Sequence, residues 1–259
     1  MSEELFHDGL IADWWSQSEG GPEIDRFRRT IERSGQPVLD AGCGSGRLLI
    51  PYLQAGIDIE GSDKSAGMIR VCAERLATAG IATRLYTQAL HELDLPRRYQ
   101  TIIVVGTFGL GTSRTEDAKG LERLHAHLQP GGTLALDIQL PWTDTRAWAA
   151  WANPPKRPQR WREPIERALP DGKRIQLRTR LRSFDPLDQQ MTNDVRAQLL
   201  RNGQSVREEQ RQLRIRWYLP EELRLLLNRA GFRDVEVTGD DTDEAPTADS
   251  EVVVFEAVA

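Results

Sequence analysis

The sequence predicts an α/β fold: a doubly wound, mostly parallel sheet with helices on both faces, carrying an antiparallel β insertion. Three observations lead there. From about residue 36 to 141, short apolar runs alternate with amphipathic helical stretches. After Pro141 that rhythm stops and runs of period two replace it. At residue 220 it resumes with one helix and two closing strands. Strands separated by helices of this length pair in parallel and bury both sheet faces.

The elements follow in order. PVLDAG (37–42) reads as a buried strand, and RLLIPYLQAG (47–56) as a helix with Leu48, Leu49, Tyr52 and Leu53 on one face. IDIEGSD (57–63) is the second strand. The helix SAGMIRVCAERLATAG (65–80) opens on Ser65 as N-cap and stops at Gly80. ATRLYTQAL (82–90) and YQTIIVVG (99–106) are strands three and four. A helix over 116–128 ends at PGG, and TLALDIQL (133–140) is strand five. Residues 142–170 hold four tryptophans among several prolines and read as ordered but irregular. Three long strands are then expected at 174–184, 191–200 and 208–219. The first of these alternates Ile175, Leu177, Thr179 and Leu181 with arginines, so one face is apolar and the other charged. Asn-Gly in RNGQ is a hairpin signal. PEELRLLLNRAG (220–231) is the last helix, with strands FRDVEVTG (232–239) and SEVVVFEAV (250–258) after it.

Composition bounds the function. Of 259 residues, 39% are hydrophobic and 28% charged, enough for a sizeable core and incompatible with a disordered polymer. The net charge of -5 argues against bulk nucleic-acid binding. Two cysteines, neither in a CxxC or a metal-ligand spacing, and only four histidines argue against a zinc framework and a disulfide scaffold, so no metal is expected. MSEELFHDGLIADWW is acidic and lacks the regions of a signal peptide, and no run reaches the roughly 18 apolar residues of a membrane span. The expectation is a cytoplasmic protein with no membrane partner, monomeric or homodimeric.

The chemistry sits at the strand ends. D-A-G-C-G-S-G, Asp40 to Gly46, joins strand one to a helix with glycines that turn tightly and admit a ligand to the backbone. It departs from the dinucleotide fingerprint twice. Arg47 stands where that fingerprint has its third glycine, and Asp40 places a carboxylate before the turn. A carboxylate there repels a pyrophosphate and suits an ammonium or a sulfonium. Asp63 closes strand two, where it can accept both hydroxyls of a ribose. Met68 can lie against a purine, and Gln88, with Ala89 and Leu90, can read an adenine edge.

With these residues the chain resembles class I S-adenosylmethionine-dependent methyltransferases. The likeness runs through D-A-G-C-G-S-G, G-S-D-K-S-A-G-M-I (61–69), L-Q-P-G-G-T-L (128–134) and A-G-F-R-D-V-E-V (230–237). It is similar in particular to small bacterial enzymes with antiparallel strands before the last helix, such as sugar amino-methyltransferases. The resemblance implies a Rossmann-like sheet of seven strands, the last antiparallel. It also implies the cofactor S-adenosylmethionine, released as S-adenosylhomocysteine. Asp40, Gly42, Gly44 and Gly46 would hold its methionine part and Asp63 its ribose, with Ala41, Cys43 and Lys64 as further cofactor-binding candidates. Met68, Gln88, Ala89 and Leu90 would hold the adenine, and Val105 and Gly106 would complete the wall. Where some relatives carry a histidine soon after strand four, this chain has F-G-L-G-T-S (108–113), so no base is expected there and the catalytic residue stays open. Trp14, Trp15 and Trp142 are candidate acceptor contacts, since an aromatic face over a cation is favourable by about 0.5–2 kcal/mol.

The expected division is an N-terminal cap (1–35), a cofactor-binding domain (36–141 and 220–259) and an inserted lid (142–219). The expected function is methyl transfer to a small-molecule acceptor through nitrogen, oxygen or sulfur. Two alternatives stand beside it: an RNA or protein methyltransferase working through the arginine-bearing strands, and a cofactor-binding protein without turnover. His125 and His127 read as surface or packing residues, and the acidic stretch 239–251 as a solvated connection.

Overall fold

The computed structural model describes residues 7–259 except positions 19 and 170, and leaves aside the side chain at 147. Two helices precede the first strand: α1 (Gly9–Trp15) and α2 (Glu23–Ser34). Then β1 (Val38–Ala41), α3 (Leu49–Gln54), β2 (Ile59–Asp63), α4 (Ala66–Ala79), β3 (Leu85–Thr87), β4 (Tyr99–Val104), α5 (Arg114–His127) and β5 (Leu128–Gln139) alternate as expected. The insertion holds α6 (Thr145–Ala152), β6 (Ile165–Ala168), β7 (Arg174–Asp185), β8 (Gln190–Arg201) and β9 (Gln204–Arg216). The chain closes with α7 (Pro220–Arg229), β10 (Arg233–Gly239) and β11 (Val252–Val258).

The main sheet has the order β10-β11-β5-β4-β1-β2-β3, with β11 alone running against its neighbours. Alternation of side chains along each strand builds two cores. Leu39, Ile102, Val104, Leu134, Leu136 and Phe255 face Leu121 and Leu124 of α5 and Leu223 and Leu227 of α7. Their chain neighbours Val38, Ile103, Ala135 and Val254 face the other way, onto Phe27 and Ile31 of α2, Leu49 of α3 and Leu76 of α4. Both faces are covered, so the strands read as continuous apolar runs. Strand order reverses between β1 and β4, which opens the ligand crevice above their carboxyl ends.

The insertion is a four-stranded antiparallel sheet, β6-β7-β8-β9. Ile175, Leu177, Val195 and Ala197 pack on Leu10, Ile11 and Trp14 of α1. Its other face is charged and internally paired: Asp194 meets Arg180 at 2.8 Å and Arg182 at 3.4 Å, and Glu208 meets Arg196 at 2.5 Å. Asn202 and Gly203 both have positive φ (51° and 76°), as a tight turn matching the strand twist requires. The end of β9 is fastened to the loop after β4, where Gly111 N donates to Arg214 O at 2.8 Å and Arg216 N to Gly109 O at 2.8 Å. The insertion therefore lies over the same strand ends as the crevice.

Several expectations need correction. β3 spans three residues rather than 82–90, because it is an edge strand whose pairing with β2 stops at Thr87. β5 begins at Leu128 instead of 133, with Gly131 N and Ala259 N bonded across to the chain terminus and to Gly132. The 142–170 segment contains a helix and an edge strand, and β9 starts at Gln204 and ends at Arg216. Among the described residues, no helix is long and apolar enough to cross a membrane.

Candidate functional site

A cavity of about 600 Å³ lies over β1, β2 and β4. The turn that enters it carries Gly42, Gly44 and Gly46 at φ of 91°, 54° and 82°, a region L side chains rarely adopt. A Cβ on Gly42 would stand 2.4 Å from Thr107, so the close approach of turn to β4 loop requires glycine. A Cβ on Gly44 would meet nothing nearer than the Met68 methyl at 3.7 Å, and that space is part of the cavity.

Four carboxylates line this space: Asp40 and Asp63 at the strand ends, and Glu116 and Asp117 of α5. Asp40 is 2% exposed, and its Oδ2 has no hydrogen-bond partner. Burial, helped by the nearby charge of Asp63, pushes its pKa up to about 7. Asp63 is held in place by backbone donors: Gly44 N to Oδ2 at 3.0 Å and Ser65 N to Oδ1 at 2.8 Å. Burial still raises its pKa against those bonds. Both oxygens keep a free lone pair for hydroxyl donors. Ser65 caps α4 by accepting from Met68 N at 3.1 Å, which sets Met68 against the cavity. Lys64 Nζ donates to Leu110 O at 2.6 Å, and burial lowers its pKa. It thereby ties the turn after β2 to the loop after β4. Gln88 lines the cavity, yet its carboxamide is committed to Asp94: Oε1 accepts from Asp94 N at 2.9 Å.

A second cavity of about 550 Å³ adjoins the first, sharing Trp15, Gly106, Thr107, Leu110, Leu213 and Ile215. Its roof is the apolar face of the insertion, with Leu177 and Leu181 of β7 and Met191 and Val195 of β8. Trp14, Phe108, Trp217 and Tyr218 supply aromatic walls, and Asp137 stands at the end of β5. The indole N–H groups of Trp14 and Trp217 are buried without partners. Tyr218 is fixed by donating to Asp117 Oδ2 at 2.7 Å. Arg167 stacks 3.5 Å over the Trp14 ring and donates to Trp14 O at 3.0 Å, which clamps α1 to β6.

Asp40, Gly42, Cys43, Gly44, Asp63, Lys64, Met68, Gln88, Ala89, Leu90, Val105 and Gly106 thus come together around the first cavity. Ala41 is buried in β1, and Gly46 packs against Cys72 Sγ behind the turn. Trp14 lines the second cavity, and Trp15 both. Trp142 lines neither; its indole donates to Ala248 O at 3.3 Å. Sequence reasoning passed over Thr107, Asp137 and Arg167. Only Asp137 left a signal, a lone carboxylate within the apolar strand TLALDIQL. Among the described residues, no group of three or more His, Cys, Asp or Glu stands close enough to hold a metal ion.

A seven-stranded sheet of this order, with a glycine turn and two carboxylates at its switch point, is the class I S-adenosylmethionine-dependent methyltransferase fold. Residues 38–132 match a family described as a methyltransferase domain. Over 143 residues the chain is 29% identical to a glycine/sarcosine N-methyltransferase of Halorhodospira halochloris, covering 52% of this chain and 53% of that one. A methyltransferase of Clostridium acetobutylicum described as S-adenosylmethionine-dependent superposes with a TM-score of 0.74 at 14% identity, covering 96% of this chain and 97% of that one. The CcbJ methyltransferase of Streptomyces caelestis superposes at 0.71 with 23% identity and 96% coverage of both chains. The chain spans between 26% and 53% of the length of the curated relatives it matches.

Proposed function

We propose that the protein is a methyltransferase that uses S-adenosylmethionine to methylate a small-molecule acceptor. The observation that carries this reading is the pair of adjoining cavities. One is a glycine-turned crevice with an unpartnered buried carboxylate, Asp40; the other is an aromatic chamber roofed by the insertion. Asp40 fits a cationic group and Asp63 fits a ribose, so the residues present suit the cofactor. Asp40 with the 42–46 turn would hold the methionine part, Asp63 with Lys64 the ribose, and Met68 with Ala89 and Leu90 the adenine. When bound, the cofactor supplies a methyl group activated by a sulfonium, a good leaving group. The protein then mainly orients the acceptor and excludes water.

The insertion acts as the lid on the acceptor, with Trp14 and Trp15 at the junction. Its volume suits a small ligand. The pairing of Arg180, Arg182 and Arg196 with Asp194 and Glu208 supports a salt-bridged outer face rather than an RNA surface. Calorimetric titration with S-adenosylhomocysteine tests the reading. Binding is expected in the wild type, and Asp63→Ala should weaken it by at least about 1 kcal/mol, since paired acceptors for the ribose are lost. Unchanged affinity in that variant would remove Asp63 from the cofactor.

A further inference from the structure

Asp137 ends β5 at the floor of the acceptor chamber, half-buried and outside the lining of the cofactor crevice. Its Oδ1 accepts from Gly106 N at 2.6 Å, and Gly106 forms part of the wall shared by the two cavities. Among the described residues no side chain donates to it, which leaves Oδ2 to a ligand. The groups that bear on it electrostatically are Arg47, engaged with Glu23, and Asp241. Around it the chamber presents Trp14, Trp15, Trp217 and Tyr218, and apolar residues of β7 and β8. Among the described residues, no histidine or lysine lines the chamber; its other charged lining residues are Asp144, Arg146, Arg162 and Arg216, the last paired with Asp188 at 2.7 Å. Two carboxylates, Asp137 and Asp144, thus line the chamber, and a carboxylate placed beside aromatic faces, like Asp137, is the chemistry that selects a cation from neutral molecules of the same shape.

We propose that Asp137 is the catalytic carboxylate that binds the acceptor's ammonium and takes its proton, and that the acceptor is a primary or secondary amine on a largely apolar body. The proposal rests on the methyltransferase reading. The N–H bond breaks, its proton passes to Asp137 Oδ2, and its electron pair remains on nitrogen as the nucleophilic lone pair. That pair forms the new N–C bond as the S–C bond of the donor breaks, whose electrons return to sulfur. The product leaves as a methylated ammonium and Asp137 releases its proton to water. Burial holds the pKa of Asp137 up at about 6, closer to that of an ammonium than an ordinary carboxylate is. An alcohol has too weakly acidic a proton for such a base.

The test uses the full chain saturated with S-adenosylhomocysteine, titrated with 2-phenylethylamine and with 2-phenylethanol as its neutral match. Turnover of the same pair is then followed with S-adenosylmethionine. The amine is expected to bind at least about tenfold more tightly than the alcohol, as a charge-assisted hydrogen bond implies. Asp137→Asn should abolish that preference and flatten the acidic limb of the rate profile, while S-adenosylhomocysteine binds as before. Asp137→Glu should restore part of the preference. Equal binding of amine and alcohol, no binding of the amine, or a preference that survives Asp137→Asn overturns the proposal and leaves the methyltransferase reading standing. Failure to bind S-adenosylhomocysteine at all overturns that reading instead.

Discussion

Asp40 is where identity alone carried the most information. A carboxylate before a glycine turn excludes a pyrophosphate and invites a cation, and the buried, unpartnered Oδ2 agrees with that logic. Its raised pKa gives a testable consequence. A cationic ligand favours the charged form, so S-adenosylhomocysteine, through its ammonium, should bind more weakly as pH falls through about 7. Asp40→Asn should bind more weakly at pH 8 and lose that pH dependence. Titration at pH 6 and 8 checks it; a wild-type affinity indifferent to pH would detach Asp40 from the ligand's charge. The glycines were legible for the same reason, because positive φ is written in residue type. Arg167 and Thr107 were not. Arg167 acquires its role from Trp14, 153 positions away, and Thr107 from Gly42, 65 positions away. No local pattern records such contacts.

At the scale of elements, what was legible depended on whether a segment buries one face or two. β7 and β8 alternate because one face meets α1 and the other meets solvent. The Asn-Gly turn declares its hairpin. α6 and β6 carry no comparable pattern: Ile165 on β6 is 59% exposed, and Trp148 on α6 is 47% exposed. The charged groups linking elements were hidden as well. Arg26 on α2 is a fully buried arginine whose guanidinium meets Glu256 of β11 at 2.8 Å and Thr238 of β10 at 2.9 Å. Removing one partner of a buried pair strands the other, at a cost of about 3–5 kcal/mol. Arg33 also reaches Glu256 at 2.8 Å, so Arg26→Met should fall near the lower end, about 3 kcal/mol. Denaturant unfolding measures it, with S-adenosylhomocysteine affinity unchanged because Arg26, Thr238 and Glu256 line neither cavity. A loss under about 1 kcal/mol would mean that the apolar replacement packs as well as the pair it removes.

Across the whole molecule, the proposed function and the stability oppose each other through the same carboxylates. Asp40 and Asp137 titrate near 7 and near 6 in the fold against about 3.8 in an open chain. The folded state therefore binds more protons than the unfolded state between about pH 4 and 7, and its stability falls as pH rises through that window. Asp63 and Asp117 shift in the same direction, also through burial. His7 acts oppositely: burial holds it near 4 against 6.5, so its contribution to stability rises with pH between those values. The carboxylates outnumber it, and above 6.5 Asp40 still titrates where His7 no longer does. The ligand-free protein should accordingly melt at a higher temperature at pH 5 than at pH 7.5. On the proposed function, S-adenosylhomocysteine would bind only the folded state and stabilise it by about 2.7 kcal/mol at a hundred times its Kd. If its ammonium answers the charge on Asp40 as proposed, the gain should be larger at pH 7.5 than at pH 5 at equal ligand concentration. Thermal melts at the two pH values, with and without ligand, decide the matter. A ligand-free protein more stable at pH 7.5 would mean that these carboxylates are solvated and ionised throughout, and that the crevice is not held in a strained state for a cation to relieve.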